Sequence, residues 1–204
     1  MNLPNKLTVA RIFAIPLIII VSLIPFFSSI TLFGSAGNEV TLENILVFGI
    51  FSLAAFTDFL DGHIARKHNL ITDFGKFMDP LADKLLVLTA LIYLLERGRF
   101  QVFGFQLGFV ITIILAREFM VTGIRLVAAD NQQVIAASKL GKAKTVSQMF
   151  AILFLLVNNY PFTLLGDLGR EITAIVLIGL AGILTLVSGF DYFIKNRNII
   201  LNSK

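Results

Sequence analysis

Six long apolar segments limit the folds open to this chain of 204 residues. They run from Lys6 to Phe33, Leu42 to Arg66, Pro80 to Glu96, Val102 to Ala128, Ser138 to Val157 and Glu171 to Ile194. About 20 apolar residues in a helix cross the hydrocarbon core of a bilayer. Hydrophobic residues make up 56% of the chain and charged residues 15%, whereas a soluble domain carries roughly a quarter charged residues. The sequence therefore predicts an all-α polytopic membrane protein with six transmembrane helices, in a single domain spanning residues 1–204.

Lys and Arg residues are unevenly divided between the loops that connect these segments. When the segments alternate in direction, only Arg97, Arg99 and Arg170 of the 17 Lys and Arg residues fall on one side. Cytoplasmic loops of membrane proteins carry an excess of Lys and Arg, so both termini are predicted to be cytoplasmic. The net charge of +4 then reflects loops beside anionic membrane lipid, and no nucleic-acid partner is expected. The chain has no Cys, which excludes thiolate metal sites and thiol nucleophiles.

Four aspartates recur at helical spacing in the middle of the chain. They are Asp58, Asp61, Asp79 and Asp83. The first two are three residues apart and the last two are four apart, so each pair occupies one face of a helix. Carboxylates that share one place stay ionised when a hard divalent cation binds their oxygens. The spacing predicts a magnesium or manganese site, while helix capping or an ion pair with Arg66 is the alternative for the first pair.

A longer signature surrounds these aspartates. The string Asp58-x-x-Asp61-Gly62-x-x-Ala65-Arg66, eight further residues and then Gly75-x-x-x-Asp79-x-x-x-Asp83 resembles, position for position, the signature of the CDP-alcohol phosphotransferase family. The resemblance implies an enzyme that moves a phosphoryl-linked group from a CDP-linked donor to an alcohol and releases CMP. It also implies two divalent metal ions at the four aspartates, and a homodimer.

The same resemblance implies a role for each residue of the signature. Asp58, Asp61 and Asp79 are implied to bind metal, and Asp83 to act as the general base and to touch the second metal ion. Donor-binding residues are implied at Thr57, Gly62, Ala65 and Gly75, around the cytidine, and at Arg66, on a donor phosphate.

The N-terminal stretch NLPNKLTVARI resembles the NxLTxxR opening of one branch of that family, the phosphatidylglycerophosphate synthases. Asn5, Thr8 and Arg11 are spaced to share one face of a helix. The resemblance implies that they close the nucleotide site from the first helix. A helix cap beside an arginine that reaches towards water is the alternative.

Basic residues of the fourth and fifth segments are expected to select the acceptor. Arg117 and Arg125 are eight residues apart on one predicted helix face, and guanidinium groups bind phosphate in a bidentate manner. The stretches REFMVTGIR and GKAKT resemble the REFxVTGIR and GKxKT patterns of the same branch. The phosphate-binding residues implied for glycerol 3-phosphate are Arg117, Arg125, Lys139, Lys142 and Lys144. Contact with anionic lipid is the alternative for the lysines, and for Glu118 the sequence leaves open whether it pairs with a cation or steers an arginine.

The resulting expectation is transfer of a phosphatidyl group from CDP-diacylglycerol to glycerol 3-phosphate, at the cytoplasmic face of a bacterial plasma membrane. Inositol phosphate or serine as the acceptor is the alternative within the family. A divalent-cation transporter is the alternative from another class, but the sequence has neither an internal repeat nor polar segments at the predicted bilayer midplane. Asp191 and Tyr192, near the end of the last segment, are expected in a belt at the membrane surface, and a position that lines the cavity is the alternative.

Overall fold

The computed structural model of the chain describes residues 3–34, 38–68, 73–130, 135 and 138–201, and gives their side chains except at 3–4, 58–77, 129–130 and 198–201. The helices of this part are α1 (Leu3–Leu23), α2 (Pro25–Ser29), α3 (Leu42–His68), α4 (Asp73–Glu96), α5 (Phe109–Asp130), α6 (Lys139–Leu156) and α7 (Gly166–Leu201). Two antiparallel hairpins pair β1 (Thr31–Phe33) with β2 (Val40–Thr41), and β3 (Gln101–Val102) with β4 (Phe105–Gln106). The chain is mostly helical, as predicted, although the all-α prediction missed both hairpins.

Four of the predicted segments differ from the helices by five residues or more at one end or both. The third was expected to begin at Pro80, but α4 begins at Asp73, and the sixth was expected at Glu171–Ile194, but α7 extends from Gly166 to Leu201.

The first segment was expected to be helical as far as Phe33, but α1 ends at Leu23 and Ile24 has an extended backbone with φ −93° and ψ 106°. Pro25 then starts α2 at its first turn, where a missing backbone N–H costs nothing.

The fourth segment was expected to be helical from Val102, but α5 begins at Phe109. Phe103 and Gly104 have φ of 50° and 78°, and two consecutive positive φ values form the tight turn between β3 and β4. The start predicted for the second segment, Leu42, is confirmed by α3.

Contacts divide the chain into two compact units. Unit 1 contains Met1–Arg99 and Leu153–Arg170, and unit 2 contains Phe100–Ile152 and Glu171–Lys204. In unit 1, α1 packs against α3 and α4, and α3 packs against α4. The buried positions include Ala14, Ile18 and Val21 on α1, Val47, Phe51 and Ala54 on α3, and Ala82, Leu86 and Ala90 on α4. They recur every three or four residues, so each helix buries one face.

Two arginines after α4 hold together one end of unit 1. Arg97 lies 2.8 Å from Glu43 on α3 and donates to the backbone oxygen of Ser22 on α1, also at 2.8 Å. Arg99 donates to Asn158 Oδ1 at 2.5 Å, and its burial away from water lowers the pKa of its guanidinium. These cations are therefore part of the packing of this end and do not form an exposed basic surface.

Unit 2 is built on α5, most of α6 and most of α7. Its buried stripe on α7 consists of Ala174, Ile178, Ala181, Thr185, Ser188 and Tyr192. On α5 the stripe includes Val110, Ile114, Val121 and Ala128. Within the described residues, Asn5–Leu23 and Phe162–Arg197 are long and apolar enough to cross a membrane, and Leu42–Thr57 is a shorter apolar helix.

Candidate active site

Asp79 and Asp83 lie one turn apart on α4, on either side of the buried Ala82. Both carboxylates are partly buried. The spacing of four residues puts them on one face of the helix, as predicted. α4 therefore supplies two carboxylates whose oxygens can converge on one cation.

α1 contributes three polar side chains to its buried face. Asn5 is 8% exposed, Thr8 1% and Arg11 0%, and they continue the stripe formed by Ala14 and Ile18 on the same helix. The prediction that they share one face is confirmed. The complete burial of Arg11 contradicts the alternative of an arginine that reaches towards water.

Thr8 connects this face of α1 to α4. Its Oγ1 donates a hydrogen bond to Asp79 Oδ1 at 2.5 Å, across 71 residues of sequence. A hydroxyl that holds one oxygen of a carboxylate fixes the orientation of the other, as the outer partners of metal ligands do. The N-terminal motif and the aspartate signature thus meet at one place within unit 1.

The remaining part of the signature lies on α3 and at the start of α4. Thr57 donates its hydroxyl to the backbone oxygen of Ala54 at 2.7 Å, so only its methyl group and acceptor oxygen are available to a ligand. The predicted residues whose side chains lie outside the described part are Asp58, Asp61, Gly62, Ala65, Arg66 and Gly75. Among the described side chains, no three His, Cys, Asp or Glu residues form a metal site, and half of the predicted ligands are not among them.

In unit 2, Glu118 contacts two of the predicted phosphate-binding residues. Its Oε1 lies 3.1 Å from Arg117 Nη1 on the same helix and accepts a hydrogen bond from Lys144 Nζ on α6. The side chain of Lys144 is 3% exposed and that of Arg117 is 12% exposed. An ammonium group so far from water requires a counter-charge, and Glu118 provides one.

Glycines on two helices make room for Arg117. A Cβ atom at Gly189 on α7 would lie 3.1 Å from Arg117 Cγ, and one at Gly141 on α6 would lie 3.5 Å from Arg117 Nη2. The arginine stem therefore passes α7 closely before its guanidinium reaches the start of α6. An apolar groove of about 410 Å³ between α5 and α7, lined by Phe190 and Phe193 among others, includes Arg117.

Arg125 is held by Tyr192, and this corrects one prediction. Arg125 Nε donates to Tyr192 Oη at 3.1 Å, and the guanidinium carbon lies 5.6 Å from the centre of the tyrosine ring. Tyr192 is only 3% exposed, so its assignment to a surface belt is wrong. The spacing from Thr185 and Ser188 along α7 continues the buried stripe and could have indicated this.

Lys139 and Lys142 differ from Lys144 in their surroundings. Both are exposed in the first turn of α6, where Ser138 Oγ accepts a hydrogen bond from the Gly141 N–H at 3.0 Å. The structure thus brings Arg117 and Lys144 together through one carboxylate, and leaves the other two lysines at the surface of unit 2.

Comparison with known proteins agrees with these features. The sequence pattern of the family described as CDP-alcohol phosphatidyltransferase matches residues 1–187. The chain belongs to the CDP-alcohol phosphatidyltransferase family. The family predicted from the aspartate signature is confirmed, and the match covers both units.

Several relatives in this family carry the same name, CDP-diacylglycerol–glycerol-3-phosphate 3-phosphatidyltransferase. The protein from Bacillus subtilis is 42% identical over 202 residues, which are 99% of this chain and 98% of the relative. The protein from Rickettsia bellii is 40% identical over 94% of this chain and 93% of its own length. The protein from Haemophilus influenzae is 34% identical over 99% of this chain and 97% of its own length.

Two residues of this CDP-alcohol phosphatidyltransferase were not assigned a site role from sequence. Tyr192 holds Arg125, and Glu118 joins Arg117 to Lys144. Glu118 directly follows Arg117 in the stretch REFMVTGIR, but only the fold of unit 2 shows that it also contacts Lys144.

Proposed function

We propose that this chain transfers the phosphatidyl group of CDP-diacylglycerol to glycerol 3-phosphate and releases CMP. The product is phosphatidylglycerophosphate, an intermediate of anionic phospholipid biosynthesis. The observation that carries the proposal is the nearly end-to-end match with relatives whose shared name states this reaction.

Asp58, Asp61, Asp79 and Asp83 are the proposed ligands of two divalent ions, Mg²⁺ or Mn²⁺. Carboxylate oxygens are the donors that both ions prefer. The described part of the site fits such ions, because Asp79 and Asp83 lie on one face of α4 and Thr8 orients Asp79. Bound divalent ions would neutralise charge on the pyrophosphate oxygens of the donor.

The chemical step needs a base and a held donor. Asp83 accepts the proton from the free primary hydroxyl of glycerol 3-phosphate. That oxygen forms a bond to the phosphorus that bears the diacylglycerol, and the bond from this phosphorus to the bridging oxygen breaks, so that CMP leaves with the electron pair. Arg66 contacts a donor phosphate, and the cytidine lies beside Thr57, Gly62, Ala65 and Gly75, with Asn5, Thr8 and Arg11 closing the nucleotide site.

The acceptor phosphate is bound by the cations of unit 2. Arg117 and Lys144 approach the same oxygen of Glu118, so both can also approach one phosphate group. Arg125, Lys139 and Lys142 are the further proposed contacts. Their combined positive charge favours a phosphorylated acceptor over one without a phosphate group, such as serine.

We further propose that the chain crosses a bacterial plasma membrane six times as a homodimer, with both termini and the active site cytoplasmic. Contacts inside unit 1 support alternating spans. Thr8 contacts Asp79 in the early turns of α1 and α4, and Ser22 contacts Arg97 at their ends, so these two helices are parallel. Glu43 at the start of α3 also contacts Arg97, so α3 runs in the opposite direction.

Contacts inside unit 2 support the same topology. Gly182 of α7 lies against Val110 of α5, and Gly189, seven residues later, lies against Arg117, also seven residues later. The two helices therefore run in the same direction. In a chain with six alternating spans the fourth and the sixth span, here α5 and α7, must run in the same direction.

The test is CMP release by the purified chain in detergent with CDP-diacylglycerol, Mg²⁺ or Mn²⁺, and one of several acceptors. We expect release only when both a divalent ion and glycerol 3-phosphate are present. Release with inositol phosphate or serine in place of glycerol 3-phosphate would overturn the acceptor assignment and keep the reaction type. No release with any acceptor from folded protein would overturn the proposal and direct attention to divalent-cation transport.

A further inference from the structure

The carboxylate of Glu118 lies between two cations on different helices of unit 2. One oxygen, Oε1, accepts from Lys144 Nζ of α6 and lies 3.1 Å from Arg117 Nη1 of α5. Two nitrogens that converge on one oxygen are close enough to bind one phosphate group together. Glu118 is therefore placed to set the distance between them.

Burial gives this contact more weight than a surface ion pair. The side chains of Lys144 and Arg117 are 3% and 12% exposed, and that of Glu118 is 24% exposed. Exposed ion pairs are weak because water competes for both charges, whereas a buried cation without its partner is strongly unfavourable. Loss of the Glu118 carboxylate is therefore expected to disturb the position of Lys144 Nζ more than loss of a partner at the surface would.

The packing around Arg117 leaves its guanidinium few alternatives. Its stem passes Gly189 and its Nη2 lies beside Gly141, and Nε forms no hydrogen bond to any residue in the described part of the chain. The contact with Glu118 therefore determines the orientation of the guanidinium group of Arg117.

We propose that Glu118 is a positioning residue for the acceptor, because it holds Lys144 Nζ and Arg117 Nη1 towards one point before the phosphate arrives. This inference rests on the proposed function, which supplies the phosphorylated acceptor. A preorganised pair of cations binds a phosphate without first losing side-chain freedom. The carboxylate has two opposite effects on binding of the acceptor. It orients the two cations, and it lowers the net positive charge beside the acceptor phosphate. We expect the orienting effect to be the larger one.

Glu118→Gln tests the proposal, because the amide keeps the size of the side chain and an acceptor oxygen but loses the charge. We expect the KM for glycerol 3-phosphate to rise about tenfold, which corresponds to about 1.4 kcal/mol, while kcat and the KM for CDP-diacylglycerol change by less than about twofold. Glu118→Ala, which has no acceptor oxygen, is expected to raise the acceptor KM further. The inhibition constant of inorganic phosphate against glycerol 3-phosphate should rise in parallel.

The matched control is Glu43→Gln in unit 1, where a buried glutamate also pairs with an arginine. Glu43 and position 58 are 15 residues apart on α3, or about 22 Å along the helix axis. This variant is expected to lower the unfolding temperature without changing the ratio of the two KM values.

Two results for Glu118→Gln would overturn the proposal. A fall in its acceptor KM would mean that the carboxylate only competes with phosphate. Equal changes in the KM values of donor and acceptor would mean a structural role.

A double variant covers the case in which Glu118→Gln does not fold. Glu118→Gln with Lys144→Met removes both charges, and a buried pair replaced on both sides is tolerated better than a broken one. We expect its acceptor KM to exceed that of Lys144→Met by much less than the roughly tenfold expected for loss of the Glu118 carboxylate, because Lys144 is no longer there to be positioned. A difference of about tenfold between the double variant and Lys144→Met would contradict a role through Lys144. Absence of glycerol 3-phosphate-dependent CMP release from the unmodified chain is a separate result, which overturns the proposed function itself.

Discussion

Asp83 is the residue on which the proposed chemical step depends. Asp83→Asn keeps the size of the side chain but cannot accept the proton of the acceptor hydroxyl, and loss of a general base reduces rates by roughly 10²–10⁴-fold. We expect CMP release to fall by this amount while CDP-diacylglycerol still binds, as measured by calorimetry in detergent. Asp191→Asn, whose carboxylate pairs with the exposed Lys195, serves as the control with unchanged activity. Loss of donor binding in Asp83→Asn would reassign Asp83 to metal binding alone.

Thr8 gives a second prediction at the same scale, with a readout that does not depend on turnover. Its hydroxyl donates to Asp79 Oδ1, and removal of such a partner weakens metal binding by about 10- to 100-fold. We expect Thr8→Val to weaken Mn²⁺ binding to the substrate-free protein by this factor, as followed by electron paramagnetic resonance. Thr8→Ser retains the hydroxyl and should bind Mn²⁺ like the unmodified chain. Equal Mn²⁺ affinities in the valine and serine variants would contradict the orienting role.

Individual residues differ in how far the sequence could assign them. The shared face of Asn5, Thr8 and Arg11 follows from helical spacing and is confirmed by their burial. The hydrogen bond from Thr8 to Asp79 could not be predicted, because it joins residues 71 positions apart and no local pattern encodes the packing of α1 on α4. The contacts of Glu118 depend in the same way on how α5 meets α6.

Among the helices, the network at the end of unit 1 makes a prediction about stability. Glu43 is 2% exposed and its partner Arg97 is 32% exposed. Breaking a buried ion pair from one side costs about 3 kcal/mol at the low end of its range, because the remaining charge is left without its partner. We expect Glu43→Gln to lower the free energy of unfolding in detergent by about this amount.

The pair of Asp191 and Lys195, in which Asp191 is 20% exposed, provides the comparison for that measurement. The side chain of Lys195 is 64% exposed, and pairs of this kind contribute less than about 1 kcal/mol. Asp191→Asn should therefore leave the free energy of unfolding almost unchanged. A loss of the same size in both variants would show that burial of Glu43 does not strengthen its ion pair.

Helix ends were predictable where apolar periodicity and turn residues agree. α3 starts at the predicted Leu42 and α6 starts one residue after the predicted Ser138. The start predicted for the fourth segment was wrong. Phe103 is apolar but adopts a positive φ beside Gly104, so the apolar stretch of the sequence includes a hairpin that is not helical. Hydropathy records burial and lipid exposure, and backbone conformation at a turn is a separate property.

For the whole molecule, the proposed six-span topology assigns a side of the membrane to each exposed position. Leu165, in the turn before α7, and Phe105, in the β3–β4 hairpin, are 75% and 71% exposed, and the proposed topology assigns both to the side opposite to the termini. Arg197, in the last turns of α7, is exposed, and the same topology assigns it to the cytoplasmic side. The chain has no native Cys, so a single introduced cysteine reports its own position without background.

We expect a membrane-impermeant maleimide to label Leu165→Cys and Phe105→Cys in intact cells, and Arg197→Cys only after the membrane is permeabilised. The reason is that alternating spans place both loops outside when the Lys and Arg residues of the other loops are held in the cytoplasm. Each variant should first retain CMP release, which shows that the cysteine has not disturbed the fold. Labelling of Arg197→Cys in intact cells would reverse the orientation and put the aspartates on the wrong side for a cytosolic acceptor. Different labelling of the two loop variants would mean that an odd number of spans separates them, and six alternating spans would then be wrong.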